Sequence, residues 1–291
     1  MNITEDCSTR GENPSMEGSP RSPGDGSGPR EDFGSALFRW RDGLGGRLRV
    51  GPGRPVEAGR LGCYSPRPPR GAEECGSLIR CILFDLDGTL LDSYEAIAES
   101  LNAAREAFAR TPFTREEVVP MVGHGLEQLM AAALGVENVA AGVRIFRERY
   151  RILSLSKSRL LPGVEPTLQA LQARGYRMAV ITNKPAYFSR KILEHLGVGE
   201  LLPVVYGPDL APAKPDPEMV FRCLRDLGCG RHETVLVGDM RVDRKTASCA
   251  GIPFFAVATG SESRASLLAS RPEQFLERFQ DLLHHFPPLP R

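Results

Sequence analysis

CILFDLDGT, at residues 81–89, is the stretch of this 291-residue sequence that decides its fold class. The apolar run Cys81–Phe84 is typical of a strand that is buried on both faces of a sheet. Two carboxylates, Asp85 and Asp87, follow this run directly and are only two positions apart. Open parallel sheets bind ligands at the carboxyl ends of their strands. The stretch therefore predicts an α/β fold with Asp85 and Asp87 in one ligand-binding crevice.

Three more apolar runs downstream have the length and composition of buried strands, namely Met178–Ile181, Val235–Val237 and Phe254–Val257. Helical patterns lie between these runs, and three of them stop shortly before a glycine, as helices commonly do. Strands separated by helices of this length run parallel, in a sheet that is covered on both faces. The sequence therefore predicts a doubly wound, mostly parallel sheet built from residues 78–93 and 161–291.

Residues 94–160 interrupt this alternation of strands and helices. No run in the segment has the pattern of a strand, and its clearest helical stripe consists of Ile97, Leu101, Ala104 and Phe108. The segment predicts an all-helical insertion after the first strand. Because the insertion leaves the sheet at the carboxyl end of that strand, we expect it to cover the crevice.

Residues 1–77 differ in composition from the rest of the chain. They contain 15 of the 30 glycines and nine of the 24 prolines, many arginines and no lysine. A segment this rich in glycine and proline, without a repeat, cannot bury enough apolar surface to offset its conformational entropy. We expect residues 1–77 to form a disordered, dispensable extension.

The composition of the whole chain argues against several classes of protein. A net charge of +1 gives no electrostatic reason to expect a nucleic-acid or membrane partner. No run approaches the ~18 consecutive apolar residues of a membrane-spanning helix, and the amino end lacks the apolar core of a signal peptide. Seven cysteines without a CxxC pair fit neither a zinc site nor a disulfide framework, which favours the cytoplasm.

Polar residues also follow the later predicted strands. Thr182 and Asn183 could hold an anion with a hydroxyl and loop N–H groups, although such a pair is equally typical of a helix N-cap. Lys214 is one of five lysines beside 32 arginines, which suggests a need for a compact point charge, although a lone surface lysine is the commoner case. Asp239 and Asp243 suit one magnesium ligand and one supporting partner, and Asp243 could also cap a helix.

A calcium-binding loop is the main alternative for the motif that begins at Asp85. Its spacing does not fit, since loop position 6 would be Leu90 instead of glycine and position 12 would be Ala96 instead of glutamate. A pair of surface turn acids is also a poor fit, because apolar residues lie on both sides of the motif.

Taken together and in order, these motifs resemble the haloacid dehalogenase superfamily of phosphatases: Asp85-x-Asp87-Gly-Thr, Thr182-Asn183, Lys214-Pro and Gly-Asp239-x-x-x-Asp243. The resemblance covers residues 80–285, and the helical insertion resembles the cap of that superfamily. The blocks Phe84–Ser93 and Ile181–Pro185 are most similar to phosphoglycolate phosphatases. Related pyrophosphatases share the second block.

The resemblance implies a phosphomonoester hydrolase that acts on a small phosphorylated metabolite, with phosphoglycolate as the first candidate. It makes Asp85 a nucleophile that becomes phosphorylated, which divides one difficult displacement into two easier ones. It makes Asp87 the acid for the leaving group and the base for water. It assigns Thr182, Asn183 and Lys214 to the phosphate.

Magnesium is the cofactor that the resemblance implies. Its ligands would be Asp85, the backbone carbonyl of Asp87, and Asp239, while Asp243 would support the metal site or Lys214. The cap is expected to choose the substrate, and its turn Val122–Gly125 can approach closely because of its glycines. His124 is a candidate contact for a substrate carboxylate, although a structural or solvated histidine is the commoner case.

Several alternatives stay open. The same core occurs in pyrophosphatases, sugar-phosphate phosphatases and phosphoglucomutase-like phosphotransferases, whereas a dehalogenase lacks the second carboxylate, so that Asp87 argues against it. A catalytically silent binding protein is the alternative outside enzymes, although every motif residue is present. We expect a monomer or homodimer that acts on a small-molecule phosphoester.

Overall fold

The computed structural model describes residues 78–290, so the predicted disorder of residues 1–77 concerns a segment outside the described part. The strands are β1 (Cys81–Phe84), β2 (Leu91–Asp92), β3 (Arg159–Leu160), β4 (Arg177–Ile181), β5 (Val204–Tyr206), β6 (Thr234–Gly238), β7 (Phe254–Val257) and β8 (Gln274–Leu276). Six of them form one parallel sheet in the order β5-β4-β1-β6-β7-β8.

The α-helices are α1 (Tyr94–Ala107), α2 (Arg115–Val118), α3 (Leu126–Leu134), α4 (Val139–Leu153), α5 (Val164–Ala173), α6 (Ala186–His195), α7 (Glu218–Leu227), α8 (Arg241–Ala250), α9 (Arg264–Ala269) and α10 (Leu282–His285). Single turns of 3-10 helix lie at Val119–Met121, Val136–Asn138, Gly199–Leu201, Arg231–Glu233 and Phe279–Asp281. Within residues 78–290, no helix combines the length and the apolar character that crossing a bilayer requires.

All four predicted strands are present, as β1, β4, β6 and β7. β1 and β7 have the predicted bounds, β4 starts one residue earlier, and β6 is one residue longer at each end. β5 and β8 were not predicted; they form the two edges of the sheet and have three residues each. Runs this short carry too little periodicity to be recognised.

The sheet is buried on both faces, because its strands alternate their side chains between two apolar layers. In β1, Ile82 and Phe84 belong to one layer, whereas Cys81 and Leu83 belong to the other. The first layer includes buried residues of α5 and α6, and the second includes those of α7 and α8. Alternation along a strand with helices on both sides is the doubly wound arrangement that the sequence predicts.

The segment between β2 and β3 contains α1 to α4. Ile97, Leu101 and Ala104 of α1 are buried, as their spacing predicts. The expectation that residues 94–160 contain no strand is wrong for the last two, since Arg159–Leu160 pairs antiparallel with Leu91–Asp92. This two-residue pairing closes the base of the helical segment. β3 forms only because it pairs with β2, nearly 70 residues earlier in the chain, and no local pattern in the sequence reveals that pairing.

Truncation of Leu83 tests the two-layer core. Leu83 is fully buried in the central strand, so Leu83→Ala is expected to lower the free energy of unfolding by about 2–5 kcal/mol. Leu268→Ala is the matched control, because Leu268 is 44% exposed and surface changes stay within about 0.5 kcal/mol. Urea unfolding measures both values. Equal midpoints for the two variants would contradict the packing described here.

Candidate functional site

Three polar residues meet because they follow adjacent parallel strands. β1 pairs with β4 on one side and with β6 on the other, so the carboxyl ends of the three strands lie side by side. Asp85, Thr182 and Asp239 are the first residues after these ends. The backbone N–H of Asp85 still donates to the carbonyl of Val237 at 2.9 Å, which fixes Asp85 at the edge of the sheet.

Asp85, Asp239 and Asp243 form a carboxylate cluster. One oxygen from each of the three lies within 4.8 Å of the others, and all three residues are buried. Asp243 joins the other two from the first turn of α8. Hard carboxylate oxygens in this number are suitable ligands for Mg²⁺, which completes its coordination with water.

Lys214 lies inside this carboxylate cluster. Its Nζ is 2.7 Å from Asp85 Oδ1 and donates to Asp243 Oδ1, also at 2.7 Å, while the lysine side chain is only 1% exposed. When all three carboxyl groups are ionised, three negative charges face this single positive charge. The two negative charges in excess equal the charge of a divalent cation, so the donor set fits such an ion.

The pKa values show the same imbalance of charge. Burial and, to a lesser extent, the charge of Asp243 raise the pKa of Asp85, Lys214 opposes both, and the resulting pKa is about 7. Burial also raises the pKa of Asp239, together with the charges of Asp85 and Asp243. Burial alone would lower the pKa of Lys214, but the two neighbouring carboxylates outweigh it and raise that pKa. A bound cation would stabilise the ionised carboxylates.

Two hydrogen bonds orient Asp239. Thr89 Oγ1 donates to Asp239 Oδ1 at 2.8 Å, and the backbone N–H of Ser261 donates to Oδ2 at 3.1 Å. The loop that carries Ser261 is itself tied to the first motif, because Thr259 Oγ1 donates to the carbonyl of Gly88 at 2.7 Å. Ser261 was missed in the sequence, where an isolated serine beyond the last predicted strand gives no signal.

Asp87 lies apart from the carboxylate cluster and has its own partners. Its Oδ1 accepts from Ser93 Oγ and is paired with Lys184 Nζ, each at 2.5 Å. Burial would lower the pKa of Lys184, but the charge of Asp87 outweighs it and raises that pKa. Lys184 was not among the predicted site residues, although the scarcity of lysine in this chain was a usable signal.

Asn183 connects three parts of the site. Its Oδ1 accepts from the backbone N–H of Lys214 at 2.8 Å, and its Nδ2 donates to the carbonyl of Gly123 at 2.9 Å. The side chain of Asn183 thus positions both the lysine loop and a turn of the helical segment. Thr182 Oγ1 accepts from the backbone N–H of Lys184 at 3.1 Å.

A cavity is lined both by residues at the strand ends and by residues of the helical segment 94–160. It measures about 70 Å³, and one water needs roughly 10–15 Å³ of such space, so a small molecule fits. Its polar side is formed by Asp85, Asp87, Thr182, Lys184 and Lys214. The apolar part of its lining, called the apolar wall below, consists mainly of Ile97, Leu126, Leu129, Phe146, Tyr150 and Phe188.

The turn Val122–Gly125 approaches the cavity as expected, but the side chain of His124 is placed elsewhere. Gly123 and Gly125 both line the cavity. His124 is exposed and is not among the lining residues. The close approach therefore comes from the glycine backbone, and His124 is not brought together with the other site residues.

The chain is similar to known hydrolases over the region that contains the site. A family model described as haloacid dehalogenase-like hydrolase matches residues 82–257. The phosphoglycolate phosphatase of Pectobacterium atrosepticum is 34% identical over 213 residues, which cover 70% of this chain and 91% of that protein. The phosphoglycolate phosphatase of Rhodospirillum rubrum is 35% identical over 193 residues, or 62% of this chain and 80% of that protein.

Solved structures agree with these matches. A structure described as a predicted phosphoglycolate phosphatase from Haemophilus somnus has a TM-score of 0.67 and 29% identity to this chain. The alignment covers 71% of this chain and 97% of that one. The residues around the cavity all lie within the range 82–257 that the family model matches. That range begins at the second residue of β1 and ends with β7, so β8, α9 and α10 follow it.

Substitution of Gly88 tests the geometry of the carboxylate cluster. Gly88 has a φ of +86°, and a Cβ there would lie 2.5 Å from Asp239 Oδ2. Gly88→Ala is therefore expected to displace Asp239 and to weaken Mg²⁺ binding by about 10- to 100-fold, as loss of ligand support does. Titration calorimetry with Mg²⁺ measures the affinity.

The matched control for this variant is Gly197→Ala. Gly197 has a similar φ of +76°, but a Cβ there meets no atom of the described residues within 4 Å. The control carries the same type of backbone strain without the clash, so its Mg²⁺ affinity should stay at the wild-type value. Equal affinities in both variants would show that Gly88 does not position Asp239.

Proposed function

Because this chain belongs to the haloacid dehalogenase-like hydrolase family, we propose that it hydrolyses phosphoglycolate with Mg²⁺ and through a phosphorylated Asp85. That the chain is a phosphatase follows from this family and from its phosphoglycolate phosphatase relatives. One observation above all supports the proposed use of Mg²⁺ and of Asp85 as the nucleophile. Asp85 lies with Asp239, Asp243 and Lys214 in a buried cluster, and two members of that cluster, Asp85 and Lys214, line a cavity that Asp87 also lines.

The proposed first step is attack by the Asp85 carboxylate on the phosphorus of the substrate. A P–O bond to Asp85 forms while the ester P–O bond breaks, which gives an acyl phosphate and an alkoxide leaving group. Hydrolysis of the acyl phosphate by water then releases phosphate and restores Asp85. The position of Asp85, fixed at the sheet edge by its backbone hydrogen bond to Val237, supports the choice of this residue.

Mg²⁺ is proposed to be held by Asp85, Asp239 and the backbone carbonyl of Asp87. When bound, it offsets the repulsion between the carboxylate nucleophile and the phosphoryl oxygens and orients the two groups. Asp243 takes a supporting role, because its Oδ1 holds Lys214 at 2.7 Å. Lys214 and the hydroxyl of Thr182 are proposed to stabilise negative charge on the transferred phosphoryl group.

Asp87 is proposed as the general acid and base. Its carboxylate is outside the Asp85 cluster and lines the cavity, which supports a role at the leaving group instead of at the metal. In the first step it gives a proton to the leaving oxygen, and in the second it takes one from water. Ser93 and Lys184 fix its position through Oδ1, so the second oxygen is available for proton transfer.

The helical segment 94–160 is proposed to act as a cap over the core formed by residues 78–93 and 161–291. It contributes Ile97, Leu126, Leu129, Phe146 and Tyr150 to the lining of the cavity that Asp85 and Asp87 also line. Excluding water there strengthens the electrostatic interactions of the phosphoryl site. The contact of Asn183 with Gly123 supports a closed arrangement in which cap and core meet beside Lys214.

A panel of phosphoesters tests the proposed function. Phosphate release is measured with phosphoglycolate, pyrophosphate, a hexose phosphate and phenyl phosphate, with Mg²⁺ or with EDTA. We expect phosphoglycolate to give the highest kcat/KM and EDTA to stop turnover. Asp85→Asn should abolish activity on every substrate, because an amide is a very poor nucleophile.

Asp226→Asn makes the same chemical change at an exposed position on α7 and serves as the control. Its activity should equal that of the wild type. Substantial turnover by Asp85→Asn would refute the assignment of the nucleophile. Preference for pyrophosphate or hexose phosphate would replace phosphoglycolate as the substrate while keeping the phosphatase mechanism.

A further inference from the structure

Among residues 78–290, three cationic side chains line the cavity, and two of them are already engaged. Lys214 is held by Asp85 and Asp243, and Lys184 is held by Asp87. The third is Arg147, whose recorded ion pair is with Glu127 at 3.9 Å. The side chain of Arg147 is 49% exposed and that of Glu127 is 69% exposed. Exposed pairs of this kind contribute roughly 0–1 kcal/mol, so an incoming anion can replace Glu127 easily.

The position of Arg147 on α4 directs it to the mouth of the cavity. Phe146 and Tyr150, one turn apart on α4, stack with ring centroids 5.3 Å apart and form part of the apolar wall. Arg147 lines the cavity beside them and also lines an adjoining groove that contains Arg151. The side chain of Arg147 is thus part of the cavity lining and is also half exposed to solvent.

We infer that Arg147 binds a carboxylate of the substrate and thereby selects short phosphomonoesters that carry a second anionic group. The inference rests on the proposed function and deepens it, because it supplies a residue that determines specificity. The phosphoryl group of such a substrate occupies the floor near Lys214 and Thr182. Its carboxylate reaches the guanidinium, whose planar pair of N–H donors matches the two oxygens.

The apolar wall favours this class of substrate over sugar phosphates. Between floor and mouth, a ligand meets mainly side chains without hydrogen-bonding groups, such as Ile97, Leu129 and Phe146. The several hydroxyl groups of a sugar would lose more bonds to water there than the few polar groups of the lining can replace, which costs free energy. A short carbon link between two anionic groups meets no such cost.

The test compares two substrates in two matched variants. Phosphoglycolate carries a carboxylate, and phenyl phosphate carries an uncharged group at the same end. Arg147→Met is expected to lower the ratio of kcat/KM for phosphoglycolate over phenyl phosphate by about 10- to 100-fold, the loss typical of a charge-assisted hydrogen-bonded pair. The change should come mainly from a higher KM for phosphoglycolate, since the interaction forms on binding.

Arg149→Met is the control, because Arg149 is exposed on the same helix and does not line the cavity. It should leave the ratio unchanged. Arg147→Lys should recover part of the ratio, since it keeps the charge but not the planar fork. This graded response separates binding of an anion from a general effect on the fold of α4.

Other outcomes overturn the inference or the proposed function separately. If Arg147→Met leaves the ratio unchanged, or lowers both values of kcat/KM equally, Arg147 does not bind the carboxylate. If the variant impairs pyrophosphate hydrolysis but not that of phosphoglycolate, the second anionic group is a phosphate and the carboxylate assignment is wrong. If the wild type hydrolyses none of these compounds with Mg²⁺, the proposed function itself fails.

Discussion

Like charges held close together in a buried place are the constraint on which the rest of this structure depends. The oxygens of Asp85, Asp239 and Asp243 lie within 4.8 Å of one another, and Lys214 supplies the positive charge among them. Removing several carboxylates from water is costly unless their charges are compensated. The sheet order brings Asp85 and Asp239 together, because β1 pairs with β6 and both parallel strands end at the same edge. Such an edge is suited to a divalent cation, which the carboxylates attract, and to a negatively charged phosphoryl group, which Lys214 attracts.

Two carboxylates that are two residues apart can take different roles because their surroundings differ. Asp85 is buried and faces other carboxylates, so its pKa is raised to about 7. Asp87 instead faces Lys184 and Ser93, with its carboxylate outside the cluster. This separation supports a nucleophile beside a metal ion and an acid–base group beside the leaving oxygen.

The sequence predicted the parts of the site that follow from strand order, and it missed the parts that depend on distant contacts. Asp85, Thr182 and Asp239 could be grouped because each ends a recognisable apolar run and parallel strands end together. Lys184 was missed because its pairing with Asp87, 97 residues away in the chain, depends on the tertiary fold. The short edge strand β5 was missed because three residues give little periodicity. His124 was proposed from its neighbouring glycines, yet only their backbone reaches the cavity.

Detection of a phosphorylated Asp85 tests the central claim most directly. Asp87→Asn is mixed with phenyl phosphate and Mg²⁺, quenched in acid, digested and analysed by mass spectrometry. Phenolate is a fair leaving group, so the first step can proceed slowly without Asp87, whereas release of phosphate by water is impaired. The account predicts one added phosphoryl group on the peptide that contains Asp85, and its loss on treatment with hydroxylamine. A phosphoryl group on another residue, or none during measurable turnover, would contradict the account.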